Sequence, residues 1–120
     1  MTTTTPEPTQ LTINRKRGDT FPFIISITDG AGAALPIAGF TFLLTVDPSA
    51  EPVDETNNVF QLTGTIFGDP NNGQVAFEPD VTAADHIGEF FHDVQMIDAA
   101  TKKRTIAEGP YNMTQDITKD

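Results

Sequence analysis

Apolar and polar residues alternate along the C-terminal half of the chain, and the alternation predicts a long β-strand from Glu89 to Asp98. One face of this strand would carry Phe90, His92, Val94 and Met96. The other face would carry Phe91, Asp93, Gln95 and Ile97. A period of two with aromatic and β-branched side chains is typical of a strand that buries one face. We therefore expect the first face to pack in a hydrophobic core.

Two segments in the first half of the chain show the same alternation. Between Thr20 and Asp29, the apolar positions of one face are Phe21, Phe23, Ile25 and Ile27. The second set of alternating positions is Phe40, Phe42, Leu44 and Val46. Because proline cannot donate a hydrogen bond to a neighbouring strand, Pro22 favours a sheet edge or the start of a strand.

A third strand is predicted from Val59 to Phe67, with Gly64 in its middle. Glycine inside a strand indicates a bulge or a close approach of another part of the chain. Asn72 and Gly73 follow, and an Asn-Gly pair is a strong hairpin signal because both residues tolerate positive φ. The hairpin would return through residues 75–77.

Residues 78–87 do not alternate, which predicts one short helical turn with Asp80 or Thr82 as its N-cap. A hairpin turn at residues 99–103 would follow the long strand. Two short strands, 104–107 and 111–115, would end the sheet, and Glu108, Gly109 and Pro110 would interrupt them.

These elements predict an all-β fold, a single immunoglobulin-like antiparallel β-sandwich with one short helical turn over residues 11–120. A small Greek-key barrel is the alternative. Residues 1–10 are rich in Thr and Pro and have almost no apolar surface to bury. We expect them to form a flexible N-terminal arm.

Composition narrows the possible functions. The chain has 120 residues, no cysteine and a net charge of −10. One domain accounts for this length, and the missing thiols exclude disulfides, thiolate metal sites and cysteine nucleophiles. Nucleic-acid binding requires clustered cations, and an acidic chain argues against it. No run of about 20 apolar residues predicts a membrane span, and no signal peptide is evident, so we expect synthesis in a cytoplasm.

Six of the seven cations form two triplets, Arg15-Lys16-Arg17 and Lys102-Lys103-Arg104. Two interpretations remain open. The triplets either keep the ends of strands soluble or contact an acidic protein neighbour.

The sequence predicts no catalytic, cofactor-binding or metal-ligating residue. Ser26 and Ser49 lack the Gly-x-Ser-x-Gly pattern of hydrolase nucleophiles. His86 and His92 fall on different predicted elements, so a metal site is a weaker interpretation than a core-edge histidine. Asp69–Gly73 resembles part of a calcium loop, but turn chemistry explains each of its residues.

The order of these elements resembles the N-terminal domain of phage upper baseplate proteins and related small β-sandwich proteins of tailed-phage virions. The resemblance covers residues 11–118. It rests on Arg17-Gly18-Asp19-Thr20 before a strand, an Asp29-Gly30 turn, Gly39-Phe40-Thr41-Phe42, Gly73–Phe77, Thr82-Ala83-Ala84, Gly88–Gln95 and Arg104-Thr105-Ile106. At one strand start this chain has Ile37-Ala38-Gly39, where the family has Leu-Thr-Gly.

The resemblance implies a structural role in a virion, assembly through contacts with other virion proteins and with further copies of the chain, and no catalysis. A place in the tail, baseplate or neck is the first expectation. A capsid decoration protein of the same fold is the second. A carbohydrate-binding module is a third, and Phe91 and Tyr111 are the aromatic residues that could form its platform.

An assembly role requires contact surfaces. We expect them on exposed edge strands, the Asp47–Asn58 loop and the N-terminal arm. The residues predicted to contact a partner are Phe91, Ile97, Tyr111, Arg15, Lys16 and Arg17.

Overall fold

A computed structural model describes residues 8–29, 31–50, 52 and 58–117. The strands of the first half are β1 (Thr9–Gln10), β2 (Ile13–Lys16), β3 (Phe23–Ser26), β4 (Thr41–Asp47) and β5 (Phe60–Thr63). The second half contributes β6 (Thr65–Ile66), β7 (Gln74–Phe77), the short helix α1 (Val81–Ala84), β8 (Gly88–Ile97) and β9 (Lys103–Thr114).

The strands form two sheets. The larger sheet has the order β1-β9-β8-β4-β5, and β2 also pairs with β9. Both β1 and β2 run parallel to β9, whereas the other pairs in this sheet are antiparallel. The smaller sheet is antiparallel and has the order β3-β7-β6. Strands β9, β8, β4 and β5 take the places of immunoglobulin strands G, F, C and C′, and β3, β7 and β6 those of B, E and D. The predicted all-β sandwich is confirmed, although β1 and β2 add parallel pairs to a sandwich that was expected to be antiparallel.

The core lies between the two sheets. Its largest fully buried side chains include Tyr111, Phe77, Ile37, Leu44, Val46, Val75 and Val94. In β8, the residues of the predicted inner face, from Phe90 to Met96, are buried or half-buried. A sheet with one apolar face must bury that face against another layer of secondary structure. The described α-helix is a single turn, so the apolar faces of β4 and β8 pack against a second sheet.

Gly64 marks the point where the chain passes from β5 in the larger sheet to β6 in the smaller one. Its N–H donates to the carbonyl of Phe42 at 2.8 Å. The close approach predicted from this glycine is therefore confirmed, and it lies at a change of sheet.

Two predicted turns form, with capping by aspartate side chains. Asp69 accepts from the amide of Asn71 and begins a 3-10 turn over Pro70–Asn72, which Gly73 ends with φ of 65°. The hairpin between β6 and β7 is thus confirmed, but only Gly73 of the Asn-Gly pair has positive φ. Asp80 caps α1 by accepting from the amide of Ala83 at 2.7 Å, as expected of an N-cap.

The predicted interruption at Glu108, Gly109 and Pro110 is wrong. Strand β9 runs without a break through all three residues. Pro110 lies opposite Phe91 and Gly109 opposite His92 in the ladder with β8. The real irregularity is earlier, because Val94 pairs with Ala107 and Gln95 with Thr105, so that Ile106 is an extra residue of a bulge.

The start of the sandwich also differs from the prediction. Thr9 and Gln10, assigned to the N-terminal arm, pair with Ala107 and Glu108 in the larger sheet. Residues 1–7 lie outside the described part of the chain, and so do residues 51 and 53–57 of the predicted Asp47–Asn58 loop. Asp47 itself is the buried last residue of β4.

Candidate interaction surfaces

The sandwich is open along one side, between β2 and β3. Within the described residues, β2 pairs only with β9 and β3 only with β7, so the free edges of both strands border the opening. A groove of about 820 Å³ lies there. Its apolar lining includes Leu11, Ile13, Ile25, Ile27, Leu35 and Phe40. Polar residues such as Thr12, Asn14, Ser26 and Thr28 also line it.

The free edge of β3 presents backbone hydrogen-bonding groups. The amide of Ile27 donates to the carbonyl of Gly73 at 2.7 Å, and the amide of Phe67 donates to the carbonyl of Gln74 at 2.8 Å. In an antiparallel ladder, successive residues direct their backbone groups to opposite sides. The groups of Phe23 and Ile25 therefore point toward β7, and those of Ile24 and Ser26 point away from it, into the opening.

Arg15 closes one end of this groove. Its guanidinium lies over the ring of Phe23, 5.1 Å from the ring centroid, and donates to the carbonyls of Phe21 and Asp19. A cation over an aromatic face is attracted by the electrons of the ring. The side chain predicted to meet an acidic partner is thus engaged inside its own chain.

Arg17 also has partners within the chain. It forms ion pairs of 3.0 Å with both Asp85 and Asp116, and these carboxylates raise the pKa of Arg17. Lys16 between them is exposed. Contact with a neighbouring protein requires an exposed side chain, and in the first basic triplet Lys16 meets this condition.

The outer face of the larger sheet carries Phe91 and Ile97. Phe91 is 36% exposed and lies opposite Asp47 on one side and Pro110 on the other. Ile97 is half-buried between Thr41 and Lys103. Their role in binding a partner stays a prediction.

A pocket of about 490 Å³ adjoins Phe91, and its lining includes the acidic residues Asp47, Asp93 and Glu108. Asp93 and Glu108 are directly paired across β8 and β9. Partial burial, and then the nearby charge of Glu108, raise the pKa of Asp93. Like charges placed opposite one another in a sheet are destabilising. This part of the face is therefore suited to a partner that brings positive charge.

The expectation that Tyr111 lies at the surface is wrong. Tyr111 is fully buried in the core, with ring centroids of Phe60 at 5.7 Å and His92 at 6.1 Å. Burial raises the pKa of its hydroxyl. The two-aromatic platform of a carbohydrate-binding module thus loses one of its members, and Phe91 remains.

His92 belongs to the core, as the interpretation of a core-edge histidine predicted. It is 4% exposed, and burial lowers the pKa of its imidazole. An imidazole with a lowered pKa is neutral over most of the physiological range.

The alternation pattern overlooked the exposed apolar residues around β3. Phe21 is 81% exposed and Ile24 is 44% exposed. The alternation places Phe21 on the same face as Phe23 and Ile25, but β3 begins only at Phe23. Pro22 was the available signal, because a proline at this position indicates an edge.

In the parts of the chain that the structure describes, no group of three or more His, Asp or Glu side chains converges on a possible metal site. None of the helices described there has the length and apolar character of a membrane span. No protein-family model matches the chain. A search of curated proteins likewise finds no match.

Proposed function

We propose that this chain is a non-enzymatic structural protein of a tailed-bacteriophage virion, which assembles through subunit contacts in the tail, baseplate or neck. The observation that carries the proposal is the free edge of β3 beside an apolar groove. Immunoglobulin-like modules commonly join other proteins by adding a strand to such an edge.

The fold and the sequence resemblance support the proposal jointly. The sandwich matches the fold that the resemblance implies, over nearly the same residues. Phe91 and the acidic pair Asp93–Glu108 supply a second contact face on the opposite side of the larger sheet from the core. An appendage subunit requires two such faces to bind neighbours on both sides.

The experiment that tests the proposal is the copy number of the chain in purified particles, measured by quantitative mass spectrometry against the major capsid protein. We expect a few to a few tens of copies, the range of rings at a tail, neck or baseplate. Hundreds of copies would instead favour the capsid decoration protein. Absence from the particles would refute the virion assignment.

A further inference from the structure

We propose that residues 1–7 of one copy of the chain bind in the groove between β2 and β3 of a second copy, as an added strand along β3. The inference rests on the proposed function, since it identifies the partner of the free β3 edge. Ile24 and Ser26 direct their backbone groups into the opening, beside the apolar lining of Ile25 and Ile27.

A strand added at this edge would extend the smaller sheet from three strands to four. It would hydrogen-bond to the backbone of Ile24 and Ser26 and cover the apolar groove. Main-chain hydrogen bonds contribute affinity in this mode, and alternate side chains contribute specificity. Half of the donor side chains would face the groove, and the other half would face solvent.

The position of Thr9 identifies the donor. Thr9 lines the groove, and it is the first residue of β1. Residues 1–7 are therefore joined, through Pro8, to a residue that lines the groove. Fully extended, seven residues span at most about 25 Å, and the four residues of β3 span about 13 Å. Thr2–Thr5 are four successive β-branched residues, which favour a strand.

The prolines favour a second copy over the chain's own groove. To lie in its own groove, the segment would have to reverse direction at Pro6-Glu7-Pro8. A tight turn centred on Pro6 and Glu7 requires Glu7 either near the helical region or at positive φ. The residue before a proline is driven out of the helical region, and positive φ is unfavourable for glutamate. A tight reversal at this point is therefore unfavourable, and this is the reason to expect a second copy as the acceptor.

The donor segment and the acceptor groove are different surfaces, so the contact is heterologous and generates either a closed ring or a longer chain of subunits. Each copy carries a net charge of −10, and repulsion between copies weakens as salt screens it. Association should therefore strengthen with moderate salt.

The experiment uses three variants of the full chain, studied by sedimentation velocity and native mass spectrometry. Deletion of residues 1–7 removes the donor and leaves every described strand intact. Ile24→Pro alters the acceptor, since it removes an N–H that points away from β7. Thr63→Pro is the matched control, because it places a proline on β5, the edge strand at the opposite side of the larger sheet from β2. The hydrogen bond from Gly64 to Phe42 shows that the N–H of Thr63 points away from β4, so no ladder bond is lost.

We expect the intact chain and Thr63→Pro to self-associate. Deletion should abolish association, because it removes the whole donor segment. Ile24→Pro should lower the association constant by on the order of tenfold, the loss expected for one backbone hydrogen bond. A mixture of the two impaired variants should form a one-to-one complex, because each retains what the other lacks. A synthetic peptide of residues 1–8 should bind the deletion variant.

The proposal is overturned if the intact chain stays monomeric up to about 1 mM, a concentration that reveals even weak contacts. Association that survives the deletion overturns it as well. So does a deletion variant that is monomeric like the parent but less stable, since the segment would then occupy its own groove. If Ile24→Pro does not fold, self-association of the deletion variant and binding of the peptide of residues 1–8 to that variant still test the proposal. Particle copy number is measured independently, so either proposal can fail alone.

Discussion

Gly64 lies so close to Val75 that a Cβ atom on Gly64 would be 2.6 Å from Cγ1 of Val75. The same Cβ would be 2.9 Å from Cβ of Phe42. Gly64 is where the chain leaves the larger sheet, so the two sheets approach each other there without room for a methyl group.

Gly64→Ala should therefore destabilise the sandwich by about 1–3 kcal/mol, the range for overpacking a filled core. Chemical denaturation monitored by fluorescence of Tyr111 or by circular dichroism would measure it. Gly68→Ala is the control, since its Cβ would meet nothing within 4 Å. An alanine at the Gly68 φ of 68° should lower the unfolding free energy by about 1 kcal/mol through backbone strain alone. Equal losses in the two variants would contradict the steric account of Gly64.

Gly109 allows the N-terminal strands to approach β9. A Cβ at Gly109 would overlap the carbonyl oxygen of Leu11, whose amide donates to Glu108 at 2.8 Å. We expect Gly109→Ala to displace this segment and to increase hydrogen exchange at the amide of Leu11. Gly32→Ala, with open space around its Cβ, should leave that exchange rate unchanged. If the amide of Leu11 exchanges as slowly in Gly109→Ala as in the parent, the added Cβ does not displace the segment and the prediction is wrong.

His92 should make the stability of the domain depend on pH. Because burial lowers its pKa in the folded chain, the unfolded chain binds a proton first as pH falls below the ordinary value of 6.5. Unfolding free energy should therefore fall as pH decreases from 6.5 toward the folded pKa, by up to about 1.4 kcal/mol per pH unit. Asp93 acts with the opposite sign and at lower pH, since its pKa is raised from 3.8.

Denaturation midpoints between about pH 5.5 and 7.5 would measure this dependence. His92→Phe should remove most of the slope, because it replaces the imidazole with an apolar ring next to Tyr111. His86→Gln keeps His92 and should keep the slope. If both variants retain it, another group is responsible.

Phe91 and Tyr111 should respond very differently to truncation. Phe91→Ser removes a side chain that is 36% exposed and should lower the unfolding free energy by about 1–2 kcal/mol, leaving the monomer folded. Tyr111→Ser empties a fully buried site and should cost about 3–5 kcal/mol. Under the proposed function, Phe91→Ser should also weaken incorporation into particles. A comparable loss of stability in both variants would place Phe91 in the core instead.

The sequence predicted the elements with a strong local signal and missed those that depend on pairing. The alternation from Phe90 to Met96 identified β8, and Asp80 identified the cap of α1. In contrast, Gly109 and Pro110 indicated a break in a strand that is continuous. Both residues fit because β8 and the N-terminal strands hold β9 from its two sides, which no local pattern reveals.

For the contact surfaces too, the sequence predicted some features and missed those that depend on the fold. The sequence identified Phe91 on an outer face and Pro22 beside an edge. It could not reveal that Arg15 stacks on Phe23 or that Arg17 is paired with Asp85 and Asp116, which are 68 and 99 residues away along the chain. A sequence shows which residues are charged, but the tertiary structure determines which side chains lie next to them.

By itself, the sequence determined that this chain forms strands with one apolar face, turns at its Asp, Asn and Gly residues, and a two-layer β architecture. These properties follow from the period of two along a strand and from backbone preferences, which act over a few residues. The tertiary structure alone decided that Tyr111 is buried, that Gly64 carries the chain between sheets, and that β3 keeps a free edge beside an apolar groove. Each of these depends on which strands pair, and pairing is set by the packing of the whole core.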